Sequence, residues 1–195
     1  MLKLLTLLLV STFSAICHAA TVDWTPLLQS MKQDCAFDLE ALPYEKSEID
    51  RLPTKYRTSV LRSHNKQTAS GSEVVTIELK NSVAFGQPLS ALTIESNEGY
   101  GYVKMKFPPN ADVPKLIALF TTPINRQRGI LAAGKVQNFC IKGAHGTLKQ
   151  YQSSPHHWRV VSSDGPWQEF RYHSKENALS CLRSDHYGDE LQCSK

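Results

Sequence analysis

The sequence predicts an α+β fold: an N-terminal amphipathic helix packed on a mainly antiparallel β-sheet, stapled by two disulfides. Three observations carry this. Apolar residues at Trp24, Leu27, Leu28, Met31 and Cys35 follow the spacing of one helical face. From about Thr58 the apolar period changes from 3.6 to 2, as in strands with one face on a core and the other in water. Four cysteines, Cys35, Cys140, Cys181 and Cys193, remain once the leader is removed, an even number for an exported chain.

Residues 1–20 read as a cleaved signal peptide and residues 21–195 as a single disulfide-stabilised α+β domain. Lys3 gives a positive start, Leu4 to Ile16 is apolar apart from Thr6, Ser11-Thr12 and Ser14, and the small residues Ala19 and Ala20 follow. That apolar run is shorter than the roughly 20 residues that span a bilayer. Cleavage after Ala19 or Ala20 fits this layout. Lipidation at Cys17 would want a small residue before it, where Ile16 stands. The expected location is periplasmic or secreted, with no membrane span after signal removal.

The helix is expected over Asp23 to Phe37, with Pro26 tolerable in its first turn. Leu39 to Arg57, broken by Pro43 and Pro53, reads as loop with one short helical turn. Strands follow where Val75, Ile77 and Leu79 alternate with polar residues, and likewise Leu92 with Ile94 and Val103 with Met105 and Phe107. Turn residues separate these runs, among them Gly86-Gln87-Pro88 and Asn97-Glu98-Gly99, so Gly99-Tyr100-Gly101 reads as a hairpin turn and not as a phosphate loop. Asp112 to Phe120 fits a short helix capped at Asp112 or a buried strand, and Val136 to Ile141 fits a strand carrying Cys140. A hairpin from His156 to His173 is the sharpest local inference. A register opposing Val161 to Trp167 sets Trp158 against Phe170 and Arg159 against Glu169, and a slip of one residue loses both pairs. Ala178 to Cys193 reads as a short terminal segment closed on itself by a Cys181–Cys193 bond, which would tie Cys35 to Cys140. Spacing alone leaves three connectivities open.

Composition limits function. An apolar fraction of 41% is too high for a disordered chain, and a net charge of +4 spread over both signs, with no block of like charges, gives no nucleic-acid footprint. No G-x-S-x-G elbow is present, and Ser153-Ser154 and Ser162-Ser163 fall in expected turns. Cys140 and His145 are close enough to suggest a thiol and its base, but the even cysteine count argues for an oxidised Cys140. No motif calls for a cofactor.

Two function classes follow. The leading one is an exported non-catalytic binding protein of the bacterial cell envelope, of the periplasmic-inhibitor or immunity type, docking on an unknown envelope protein. Its interface candidates are Trp167 beside Gly165-Pro166, Tyr187, Tyr100 and Arg126. Basic residues interleaved with aromatics, as in Tyr102-Lys104-Lys106, suit an acidic partner and equally protect an exposed sheet from aggregation. The other class is a metal-binding protein using His157, His173 and His186, of which the first two lie diagonally on one face of the hairpin. A hydrolase built from distant residues is a third class with no visible motif. In layout, though in no motif, the chain is similar to small periplasmic inhibitors such as lysozyme inhibitors and envelope immunity proteins.

Overall fold

The computed structural model describes residues 20–33, 35–36, 41–43, 45–69, 71–97, 99–120, 139–143, 146–154, 157–162 and 167–184. Residues 1–19 of the leader, Arg126, His145, Tyr187, His186 and Cys193 lie outside this set, as do the side chains of Cys140 and Trp167.

Twelve strands are present among the described residues: β1 Val22–Asp23, β2 Val60–Gln67, β3 Glu73–Leu79, β4 Ser82–Ala84, β5 Gln87–Pro88, β6 Ala91–Asn97, β7 Tyr100–Lys106, β8 Phe139–Gly143, β9 Gly146–Ser154, β10 His157–Ser162, β11 Trp167–His173 and β12 Ala178–Ser184. Nine of them form one sheet in the order β2-β3-β6-β7-β12-β11-β10-β9-β8, and every neighbouring pair is antiparallel. The remaining three form a small sheet, β1-β4-β5, in which β1 runs parallel to β4. Helix among the described residues is confined to short segments: α1 Thr25–Leu28, α2 Thr54–Arg57, α3 Val113–Ile117, and 3-10 segments at Gln29–Lys32 and Lys46–Arg51. The fold is therefore mostly β.

Alternation along the strands creates the core. Val75, Ile77, Leu92, Ile94, Val103, Met105, Leu179, Cys181, Phe170 and Trp158 all turn to one face and are buried. Trp24, Leu28, Met31, Tyr56, Val113, Leu116 and Phe120 close over that face, so strand and helical residues share one apolar cluster. Aromatic rings extend through it, with Phe120 between Phe85 and Phe170, and Phe170 stacked on Trp158 at 5.8 Å. Trp24 donates its Nε1 hydrogen to Ser59 Oγ at 3.1 Å, which satisfies the polar end of a fully buried indole.

The hairpin register is the expected one: Trp158 faces Phe170 and Arg159 faces Glu169. The turn at Gly99 is also as expected, with a positive φ of 74° joining Asn97 to Tyr100.

Three expectations are corrected. The helix over Asp23 to Phe37 shrinks to one α turn followed by a 3-10 turn, then extended chain at Gln33 and a left-handed Cys35 with φ of 52°. Trp24, Leu28, Met31 and Cys35 are nonetheless fully buried, so the spacing marked the buried face and overstated the helix. A turn that short, with no side-chain cap at Trp24, is held by packing and not by helix propensity. The second correction is the cysteine pairing. Cys181 bonds to Cys35 with the Cα atoms 5.2 Å apart, so neither the local Cys181–Cys193 loop nor the Cys35–Cys140 tie forms, and one disulfide, not two, is present among the described residues. The third explains the second. Residues 178–184 are not a closed terminal loop but the central strand of the large sheet, and its core face presents Cys181 to the N-terminal segment.

Candidate functional site: the open face of the sheet

The side chains that alternate with the core residues make a second face with a different chemistry. Register places Arg62, Glu78, Ala91, Lys106, Ala178 and His173 in one row across six strands. The next row runs from His64 through Thr76, Thr93, Lys104, Ser180 and Arg171 to His157. A third runs from Lys66 through Val74, Glu95, Tyr102, Leu182 and Glu169 to Arg159. A fourth sets Asn97, Tyr100, Ser184 and Trp167 side by side.

Small residues on β12 explain the relief of this face. Ala178, Ser180 and Ser184 lie low and buried, while longer side chains on β7 and β11 flank them. Ser180, 5% exposed, has its Oγ 2.8 Å from His173 Nε2 and also hydrogen-bonds Tyr102. Several charged groups around this centre are paired. Lys104 Nζ lies 3.0 Å from Glu176, Arg62 Nε 2.7 Å from Glu78, and Glu169 receives Arg159 at 2.7 Å while also meeting His157 Nε2 at 2.8 Å. Thr76 and Thr93 hydroxyls meet at 3.3 Å.

Burial tunes the titrating groups. It pushes the Tyr100 phenol up to about 12, with the carboxylates of Glu95 and Glu169 adding to the shift. Burial also raises Tyr102 and Glu95 above their ordinary values. Glu169 would be raised by burial too, but hydrogen bonds from Arg159 and His157 outweigh it and hold the carboxyl below its usual range. His173 is held below the ordinary imidazole value by burial, with Lys104 and Arg171 nearby opposing its protonation.

A neutral imidazole 2.8 Å from a serine hydroxyl has the spacing of a base and its nucleophile. The surroundings do not suit that chemistry. Ser180 is covered, and it sits in mid-strand between two paired neighbours, so the backbone N–H groups around it enter the ladder and are not aimed at a developing oxyanion. The arrangement is a satisfied polar layer that fixes the long side chains above it.

Of the expected interface residues, Tyr100 and Trp167 occupy register positions in one row, two strands apart with Ser184 between them. Tyr187 and Arg126 lie outside the described residues. Of the expected metal ligands, His157 and His173 occupy the diagonal positions predicted for them, but their Nε2 atoms face Glu169 and Ser180. His186 lies outside the described residues, among which no group of three or more His, Cys, Asp or Glu could hold a metal ion. Ser180, Glu95 and Glu176 were not singled out by sequence reasoning. Their signal was the pairing of strands distant in sequence, apart from the Tyr102-Lys104-Lys106 alternation, which did mark β7. No family model, no curated protein and no solved structure matches the chain.

Proposed function

We propose that this chain is an exported, non-catalytic binding protein of the bacterial cell envelope, of the periplasmic-inhibitor or immunity type, which docks on another envelope protein through the open face of its sheet. The observation that carries the reading is the row of Tyr100, Ser184 and Trp167, with Tyr102 one row away on the same face. Aromatic side chains supply much of the energy at protein interfaces, and anchors on paired strands lose little conformational freedom on binding. The ion pairs of Lys104, Arg62 and Arg159 around them suit a rim that steers a partner more than it holds one. A buried disulfide, and the lack of any helix long and apolar enough to cross a membrane among the described residues, are compatible with an oxidising compartment.

The test is capture from an envelope extract with the wild-type protein and with Tyr100→Ala, Trp167→Ala and Tyr187→Ala variants. Loss of a retained partner in the variants, with unfolding midpoints unchanged, is the expected result. Retention of no partner at micromolar protein would count against the reading. The second reading, a metal carrier, rests on the shared face of His157 and His173. It predicts near-stoichiometric metal in protein purified without a metal-affinity tag, lost when both histidines are replaced.

A further inference from the structure

A cavity of about 550 Å³ opens at the start of the domain, between β1, α2 and the turn that leads into β4. Thr21, Val22, Asp23, Lys55, Thr58 and Lys80 line it. Its walls are fixed to one another. Val22 donates its N–H to Asn81 O at 2.8 Å, Lys80 donates its N–H to Ser59 O at 2.9 Å, and the Ser59 hydroxyl donates to Tyr56 O at 2.7 Å while accepting the Trp24 indole hydrogen.

Two lysines and one carboxylate stand in the lining of this cavity. Among the described residues neither Lys55 nor Lys80 stands in an ion pair, and Lys55 Nζ rests 4.7 Å from the ring centre of Tyr56. The one carboxylate in the lining, Asp23, accepts the Thr25 N–H at 2.9 Å. Val22 and Pro26 give the cavity apolar surface. Processing after Ala19 or Ala20, as expected from the leader, would bring a new α-ammonium group to the same rim. A volume of this size falls in the range of small-molecule sites, which combine apolar walls with a few convergent polar groups.

We infer that this cavity binds a small amphipathic anion, a carboxylate or phosphate head on an apolar body, with Lys55 and Lys80 holding the head and Val22 and Pro26 the body. Ammonium groups take either oxyanion through charge-assisted hydrogen bonds. The inference does not depend on the docking role of the open face.

The experiment is titration calorimetry on protein purified after export, with decanoate and decyl phosphate as probes and decyltrimethylammonium as the cation of equal chain length. At least one of the two anions is expected to bind with a dissociation constant below about 1 mM, and the comparison between them identifies the preferred head. The cation is expected not to bind. Lys55→Ala/Lys80→Ala should weaken the anion about tenfold or more, while Lys55→Arg/Lys80→Arg keeps it. Should the alanine pair fail to fold, the single Lys80→Gln variant is expected to show a several-fold loss. Absence of binding by both anions, equal binding of the cation, or full affinity in folded variants that lack the lysine charge would overturn the inference.

Discussion

The two faces of the large sheet are built from the same strands, one residue out of phase, and they do opposite things. On the core face, Val75, Ile94, Val103, Cys181, Phe170 and Trp158 form an apolar row that is buried from end to end. On the open face, the row one step along carries His64, Thr76, Thr93, Lys104, Ser180, Arg171 and His157; Thr76 bonds Thr93 within the row, while Lys104, Ser180 and His157 bond Glu176, His173 and Glu169 beside it. The core face should therefore carry most of the stability, since apolar burial contributes about 25 cal/mol per Å² while an exposed ion pair contributes about 0 to 1 kcal/mol. The open face should carry recognition, because its groups are held in position yet still reach solvent.

Breaking the core side should give the largest effects. The Cys35–Cys181 bond links residues 146 apart, so Cys35→Ser/Cys181→Ser should lower stability by about 5 kcal/mol in the chain-entropy model, read as a drop in the urea midpoint. Phe170→Ala, which removes the ring between Phe120 and Trp158, should cost about 3 to 5 kcal/mol by the same assay. On the other face, Ser180→Ala should cost only about 1 kcal/mol, the worth of its bonds to His173 and Tyr102, and leave docking intact. Lys104→Ala should change stability by less than about 1 kcal/mol and slow partner association.

The pH dependence sharpens the same comparison, because His173, Glu169 and Tyr100, whose values are shifted, belong to the open face. His173 resists protonation in the folded state, whereas an unfolded imidazole gains its proton near 6.5, so stability should begin to fall as pH drops through about 6.5. Glu169 is held low, so its contribution is complete above the unfolded carboxyl value and is lost as pH falls through its folded value. Tyr100 acts at the alkaline end. Its phenol stays protonated up to about 12, and stability should decline once the unfolded phenol ionises near 10. Denaturant midpoints measured from about pH 2 to about pH 11 should show all three, and a His173→Asn variant should lose the step near 6.5.

Sequence reading recovered the local parts of this design. Period-2 runs located β3, β6 and β7, and side-chain pairing fixed the β10–β11 register to the residue, because the aromatic and charged pairs exist in one register only. What it lost was non-local. β12 reads as part of a closed terminal segment because three of its four open-face residues, Ala178, Ser180 and Ser184, are small, and small residues are apt there only because longer ones on β7 and β11 flank them. With β12 misread, the partner of Cys181 could not be found. The N-terminal helix failed for another reason: apolar spacing reports which residues face the core, and a chain can meet that spacing by an α turn, a 3-10 turn and an extended residue in succession. The candidate site was half legible, since Tyr100 and Trp167 were singled out individually while their common row was set by β12 between them.

Site-specific photocrosslinking tests the division of labour between the faces most directly. A benzophenone side chain would be placed at Thr93 or Lys106 on the open face and, as the contrast, at Asp50 on the exposed 3-10 turn of the layer that covers the core. Irradiation in an envelope extract is predicted to give one discrete adduct from positions 93 and 106 and none from position 50. An adduct from position 50 alone would contradict the account, and so would adduct formation at 93 and 106 that survives Tyr100→Ala/Tyr102→Ala in a protein of unchanged unfolding midpoint.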